Sequence, residues 1–214
     1  MYIDFSNAFG SADHDKLQLT LRHLCIPEQA LRVIRNIYPG SDPKGSPMQI
    51  QVALPQGSTD AFQVRRGNIQ GDSLSPLLFL LYIEPLLRWL EAGSRGFKHT
   101  AITTHEVRTS AAAYADDLAI TTNNVQDLLK QTEKLQLFTY WAGLRVNPTK
   151  CAVTGYMPNQ SKHNRITKNT YAKVQYRTQE GLTPIPYLDP SQPYTYLGVE
   201  ITATLAWKHH RKKD

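Results

Sequence analysis

Cysteine is scarce in this chain, with two residues in 214, Cys25 and Cys151. They lie far apart and fit no metal-binding or disulfide spacing. That excludes a cysteine-stapled secreted scaffold and makes a reducing compartment the default expectation. Long apolar runs are also missing: the longest, Leu77 to Ile83, is far too short to span a bilayer. Met1-Tyr2-Ile3 is followed at once by Asp4 with no basic region before it, so the start does not read as a secretory signal. No internal repeat or low-complexity domain is visible. Acidic residues are outnumbered, 18 Asp plus Glu against 24 Lys plus Arg, leaving a net charge of +6. Such a surplus favours a polyanionic partner, although it is also common on soluble proteins. The expectation is a soluble, intracellular, mildly basic protein with no membrane partner, nuclear or cytoplasmic if eukaryotic.

A chain of this length can hold one domain with a real core. Tyr2-Ile3-Asp4-Phe5 reads as the end of a buried strand. A central strand normally has chain before it, so its place at the very start points to a frame beginning inside a larger domain. Asp13 to Asp15 offer N-cap and first-turn acidity for a helix carrying Leu17, Leu21 and Leu24. Pro27 and Glu28 open a second helix, with Leu31, Ile34 and Tyr38 on one stripe. Met48 to Leu54 and Ala61 to Arg66 read as strands, and Gly67 to Asp72 as a turn. Ser75 and Pro76 make an N-cap and N1 pair for a helix that is apolar nearly all round and is expected to be buried, kinked or ended early by Pro85. A strand is expected at Thr100 to Thr104, a helix from Asn124 to Gly143, and strands at Cys151 to Tyr156, Ala172 to Tyr176 and Tyr194 to Thr202.

The chain is organised around Tyr114-Ala115-Asp116-Asp117. Apolar or β-prone residues lie on both sides, and two adjacent Asp interrupt them, although Asp is depleted in strands. Asp tolerates tight-turn angles, so the reading is a hairpin with the acidic pair at its tip. Neighbouring carboxylates repel, and a bound divalent cation would favour placing them there. A solvated acidic turn is the alternative. The coarse order of elements gives an α+β fold, an antiparallel sheet with helices on one face.

Five collinear stretches resemble the palm of a reverse transcriptase, most closely the non-LTR (LINE-like) retrotransposon type. They are Tyr2-Ile3-Asp4-Phe5-Ser6-Asn7-Ala8-Phe9; the run from Arg66 through Gln70-Gly71 and Ser75-Pro76 to Phe79; Tyr114-Ala115-Asp116-Asp117; Gly143 to Lys150; and Tyr196-Leu197-Gly198. The resemblance implies a right-hand polymerase palm with a ferredoxin-like core, and RNA-directed DNA synthesis on an RNA template and DNA primer from dNTPs. It implies two Mg²⁺ ions, with Mn²⁺ possible, held by Asp4, Asp116 and Asp117. Such ions need carboxylates converging from separate elements. It further implies a nucleotide site with Phe5, Phe9, Gln70, Gly71 and Lys150, Phe9 being the aromatic wall that selects deoxynucleotides. Tyr196, Leu197 and Gly198 become the turn that supports the primer 3′ end.

Taken alone, several of these residues have plainer readings. Phe9 can be a core side chain, Lys150 an exposed lysine beside a strand, and Ser75-Pro76 simply a helix start. Leu54-Pro55-Gln56-Gly57 imitates the Gln-Gly element but has no Ser-Pro and apolar helix behind it at the right distance. Gly10 stands where many relatives carry a second Asp; that Asp is not a metal ligand, so Gly10 need not mean inactivity.

The expected organisation is a palm core over residues 1–156, a hairpin region over 157–204 leading to the primer-side turn, and a basic tail over 205–214 that begins a missing thumb. Fingers and thumb are expected to be truncated, leaving a fragment that polymerises poorly alone. A catalytically inactive remnant that at most binds nucleic acid, a group II intron or retron enzyme, and a nucleotide cyclase on a related sheet are the competing readings.

Overall fold

The computed structural model describes residues 1–41, 49–93, 96–100, 106–155 and 174–203. Its elements run β1 (Tyr2–Ile3), α1 (Ala8–Ser11), α2 (His14–His23), α3 (Glu28–Ile37), β2 (Gln49–Ile50), β3 (Ala53–Leu54), β4 (Gly57–Ser58), β5 (Phe62–Gln63) and α4 (Ser75–Glu91). There follow β6 (Phe97–Thr100), β7 (Glu106–Thr109), β8 (Ala111–Tyr114), β9 (Asp117–Ile120), α5 (Val125–Ala142), β10 (Gln175–Thr178), β11 (Gly181–Pro184), β12 (Tyr194–Tyr196) and β13 (Val199–Ile201). Helices mixed with antiparallel pairs are the expected α+β class. The chain divides into two compact units: Met1–Ser6, Leu86–Thr139 and Val146–Asp214 form one, Asn7–Pro85 and Tyr140–Arg145 the other.

In the first unit β9 is the middle strand of a three-stranded antiparallel sheet, between β1 and β8. Tyr2 pairs with Ala119 and Ile3 with Leu118. The free edge of β1 is completed by an isolated bridge: the Tyr2 amide donates to the Ala152 carbonyl at 2.7 Å, and the Ala152 amide returns the bond at 3.1 Å. Beyond it, Val153 exchanges hydrogen bonds with the chain at Pro186 and Leu188, both at 2.9 Å. Of the strand expected at Cys151 to Tyr156, only Ala152 and Val153 make bridges, and Tyr156 lies outside the described residues. Side chains alternate as a pleated strand requires. Ile3, Leu118 and Ile120 are buried, while Tyr2, Asp117 and Ala119 turn to the other face.

α5 starts at Asn124, whose Oδ1 accepts the Asp127 amide at 2.8 Å, and it ends at Gly143, whose φ of 69° fits a C′ glycine. Gln131 of α5 donates to the Leu90 carbonyl at 2.7 Å, and Lys134 donates to that of Ala92 at 2.9 Å. Carbonyls at the end of α4 thereby gain partners that no helical turn supplies. β6 and β7 flank the stretch expected as a strand at 100–104, whose residues after Thr100 lie outside the described set, as do Ala172 and Lys173 before β10. The single strand expected from Tyr194 to Thr202 is instead a hairpin. Leu197 (φ 52°) and Gly198 (φ 74°) form its two-residue turn between the paired Tyr196 and Val199, with both central residues left-handed as in a I′ turn.

The second unit holds α2 and α3, with a short α1 that periodicity did not announce. Asp13 caps α2 as expected, accepting from the Asp15 amide at 3.1 Å and the Lys16 amide at 3.2 Å. Pro27 sits at the N-cap of α3. β2 with β5 and β3 with β4 make one nested hairpin whose two-residue turn is Pro55-Gln56. The Leu54-Pro55-Gln56-Gly57 look-alike is therefore hairpin chemistry. Ser75 is the first residue inside α4 and not its cap. Its hydroxyl donates to the Ile69 carbonyl at 2.6 Å and closes the loop in front of the helix. α4 runs through Pro85 without ending there. It is not buried all round either: Leu77 is 53% and Leu80 41% exposed, because apolar composition does not say which sides of a helix meet a neighbour.

Candidate active site

The carboxylates are placed by strand register. β8 and β9 pair from Ala111↔Ile120 to Tyr114↔Asp117, leaving Ala115 and Asp116 as the two-residue turn. The acidic pair is thus split: Asp116 sits in the turn, and Asp117 opens β9. Ala115 has φ 52°, a left-handed angle in the first turn position that a residue with a Cβ adopts at a cost of about 1 kcal/mol. Continuing the β1–β9 register by one residue sets Asp4 opposite Asp117. Asp4 lies two residues after Tyr2, so the two share a strand face, which Asp117 and Ala119 also occupy.

The charges feel one another. The Asp117 carboxyl is raised above its usual range, first by burial and then by the negative charges of Asp116 and Asp4. Asp4 and Asp117 thus lie at neighbouring strand ends with Asp116 in the adjoining turn, and the charges of Asp4 and Asp116 act on Asp117 in a repulsion that a cation would relieve. Among the described residues no three His, Cys, Asp or Glu side chains are gathered closely enough to enclose a metal ion by themselves. Mg²⁺ asks for less, since it commonly takes one or two protein carboxylates and completes its octahedron with water and substrate phosphates. The donor set fits such an ion.

Asp4 is held from behind by Cys151, a residue that no motif singles out. Its backbone amide donates to the Cys151 sulfur at 3.3 Å, and the Cys151 thiol donates to the Asn147 carbonyl at 3.2 Å. The Asn147 amide in turn donates to the Asp4 carbonyl at 2.9 Å. Burial pushes the Cys151 thiol up to about 11, so it stays a protonated donor at neutral pH. Phe5 bridges Val146 and is buried in the core, 5% exposed as a whole residue.

Lys150 is exposed, and its carbonyl accepts from the Tyr194 hydroxyl at 3.3 Å. Tyr196 is partly buried, and its hydroxyl donates to the Asp117 carbonyl at 3.3 Å. An added Cβ at Gly198 would meet nothing within 4 Å, so this glycine answers to its backbone angle and not to a close neighbour in the chain. Asp4, Asp116, Asp117, Lys150 and Tyr196 to Gly198 thus all belong to the first unit.

Phe9, Gln70 and Gly71 belong to the second unit. The Phe9 ring lies 4.7 Å from that of the buried Phe79. Gln70 is exposed, and Gly71 takes φ 89° with open space around it. The loop before them is pinned by Tyr38, whose hydroxyl accepts the Ile69 amide at 3.2 Å. Gly67 is the tight point: at φ 86°, an added Cβ would lie 2.7 Å from the Gly10 Cα.

Two further residues, Tyr2 and Tyr194, join the first-unit cluster without having been anticipated. Period-2 alternation carried the signal, since each lies two residues before a candidate residue, Tyr2 before Asp4 just past the end of β1 and Tyr194 before Tyr196 on β12.

Residues 1–201 match the family model described as reverse transcriptase (RNA-dependent DNA polymerase). The chain is similar to the retrovirus-related Pol polyprotein from type-2 retrotransposable element R2DM of Drosophila melanogaster, 32% identical over 202 residues, covering 94% of this chain and 17% of that polyprotein. It is also similar to the Pol polyprotein from type-1 retrotransposable element R2 of Nasonia vitripennis, 26% identical over 197 residues, covering 92% of this chain and 18% of that protein. The chain spans less than a fifth of the length of these relatives.

Proposed function

Because the chain belongs to the reverse transcriptase (RNA-dependent DNA polymerase) family, we propose that the sheet face bearing Asp4 and Asp117 is the nucleotidyl-transfer site of a non-LTR retrotransposon-type polymerase. Its substrates are dNTPs, a DNA primer and an RNA template. The observation that supports this reading is that β1 and β9 pair up to Ile3 and Leu118, the residues next to Asp4 and Asp117, and that the charges of Asp116 and Asp4 both act on the Asp117 carboxyl. Nucleotide addition is phosphoryl transfer, in which positioning and electrostatic stabilisation dominate. Asp4, Asp116 and Asp117 are the residues that would hold divalent cations, Mg²⁺ or Mn²⁺. Bound there, such ions would supply Lewis-acid polarisation of the attacking 3′-oxygen and charge neutralisation at the leaving pyrophosphate.

The resemblance gives the other candidates roles in the same reaction. Phe9 walls the sugar of the incoming nucleotide and excludes a 2′-hydroxyl. The Phe5 backbone, Gln70 and Gly71 line the nucleotide site, with Gln70 hydrogen-bonding without reading one base. The Lys150 ammonium stabilises or protonates the leaving pyrophosphate. Tyr196, Leu197 and Gly198 hold the primer 3′ end.

Primer extension on an RNA template with Mg²⁺ or Mn²⁺ tests the proposal, with the protein expressed from the full reading frame that encodes this chain. Asp4→Ala and Asp116→Ala are expected to abolish DNA synthesis while leaving the thermal transition in place. Synthesis retained by either variant removes that residue from the site. Phe9→Val is expected to raise ribonucleotide incorporation; unchanged sugar selectivity removes the wall.

A further inference from the structure

Three tyrosines tie the Tyr196-Leu197-Gly198 turn to the strands that carry the carboxylates. The Tyr194 ring stacks on Tyr2 with centroids 4.2 Å apart and planes within 9°. Tyr196 lies against the same Tyr2 ring at 5.7 Å and 43°. Tyr194 and Tyr196 are two residues apart on β12 and so face one way, while Thr195 between them is exposed. Both outer rings are anchored through their hydroxyls, Tyr194 to the Lys150 carbonyl and Tyr196 to the Asp117 carbonyl, each at 3.3 Å. Tyr2 stands two residues from Asp4 on a strand that neighbours both β9 and Ala152. A displacement of β12 would therefore have to break a ring stack and two hydrogen bonds made to the backbone of the site itself.

We propose that Tyr2 and Tyr194 are positioning residues which, with the Tyr196 hydroxyl, fix the primer-side turn at a set distance from Asp4 and Asp117. The inference rests on the primer-side role proposed above for residues 196–198 and adds what holds them. An attacking 3′-oxygen tolerates little misplacement, so a clasp anchored on the carboxylate strands bears on rate more than on overall affinity for nucleic acid. Ring stacking supplies the rigidity, and the hydroxyl bonds supply the direction. Each tyrosine answers to a different part of the arrangement. Tyr2 is the ring both others share, Tyr194 carries the stack, and Tyr196 links it to the strand of Asp117.

The test uses the 214-residue chain and an RNA–DNA primer–template whose terminal primer nucleotide bears a photo-crosslinker. Adducts are mapped by mass spectrometry, and total binding is followed by fluorescence anisotropy. The wild-type chain is expected to crosslink within residues 194–201. Tyr194→Leu and Tyr2→Leu are expected to lower that adduct about tenfold, while total affinity changes by about twofold or less. Tyr194→Phe, which keeps the stack, is expected to restore most of it. If a Leu variant fails to fold, the Tyr194→Phe/Tyr196→Phe double variant takes its place, with an expected loss of about threefold from the two hydroxyl bonds. Wild-type adduct yield in the Leu variants, or in the double Phe variant where it replaces them, overturns the clasp and leaves the primer-side role standing. A wild-type chain that binds the duplex but crosslinks elsewhere overturns the primer-side role, and the clasp with it.

Discussion

Asp117 is a residue whose surroundings disfavour its own charge. Burial and the nearby Asp116 and Asp4 raise its carboxyl, so the folded state binds that proton more tightly than the unfolded chain does. Its contribution to stability is therefore most favourable below about pH 3.8, the reference value for a free Asp, and is lost as pH rises through the elevated folded value. Without divalent cation, Asp117→Asn is expected to raise the unfolding temperature at pH 7. The gain stays below about 1 kcal/mol because solvent screens the site, and it shrinks towards zero at pH 3. Thermal melts at the two pH values check it; an unchanged or lower transition at pH 7 contradicts the reading.

Cys151 makes the opposite kind of contribution. Cys151→Ala removes the sulfur between the Asp4 amide and the Asn147 carbonyl and is expected to cost about 1–2 kcal/mol in urea unfolding, with Cys151→Ser recovering part of it. At this scale the sequence was informative about chemistry and silent about support. Asp4, Asp116 and Asp117 stand out because carboxylates are out of place in strands. A buried Cys or a Tyr in a strand looks like ordinary core until its partner, more than a hundred residues away, is known.

Among the elements, the helices with caps were legible. Asp13, Asn124 and Gly143 mark their boundaries through local hydrogen bonding and backbone angle, which depend on few neighbours. The strands were less so. Tyr194 to Thr202 reads as one run because a leucine sits in the left-handed first position of its turn, where Asn or Gly would have announced a hairpin. Leu197→Asn creates the favoured Asn-Gly pair and is expected to stabilise the hairpin by about 0.5 kcal/mol, seen as a higher unfolding temperature. Gly67→Ala moves the other way. The added methyl meets the Gly10 backbone at a positive φ, and a loss of about 2–4 kcal/mol is expected in urea unfolding. α4 shows the limit of composition, for its apolar residues predicted burial on every side while Leu77 and Leu80 remain exposed.

Over the whole molecule, chain order and spatial order part company. The first unit draws Met1–Ser6 together with segments that begin at Leu86 and Val146, so its sheet unites residues that no local pattern links. Only the family resemblance named Asp4 and the Tyr114 to Asp117 stretch as parts of one site; periodicity does not link them. The net charge of +6 also acts at this scale. Binding of an RNA–DNA duplex to the 214-residue chain is expected to weaken by about tenfold or more between 50 and 200 mM salt, with little dependence on base sequence. Affinity that ignores salt would contradict a backbone-phosphate contact surface.

As proposed ligands, Asp4 and Asp116 together form a divalent-cation site at the ends of β1 and the β8–β9 turn. Mn²⁺ titration of the 214-residue chain with a dNTP present, followed by electron paramagnetic resonance, tests it most directly. Saturable binding is expected in the wild-type chain, weakened about tenfold or more in the Asp4→Asn/Asp116→Asn variant, with its melting transition preserved. An identical Mn²⁺ isotherm in that folded variant would contradict the claim.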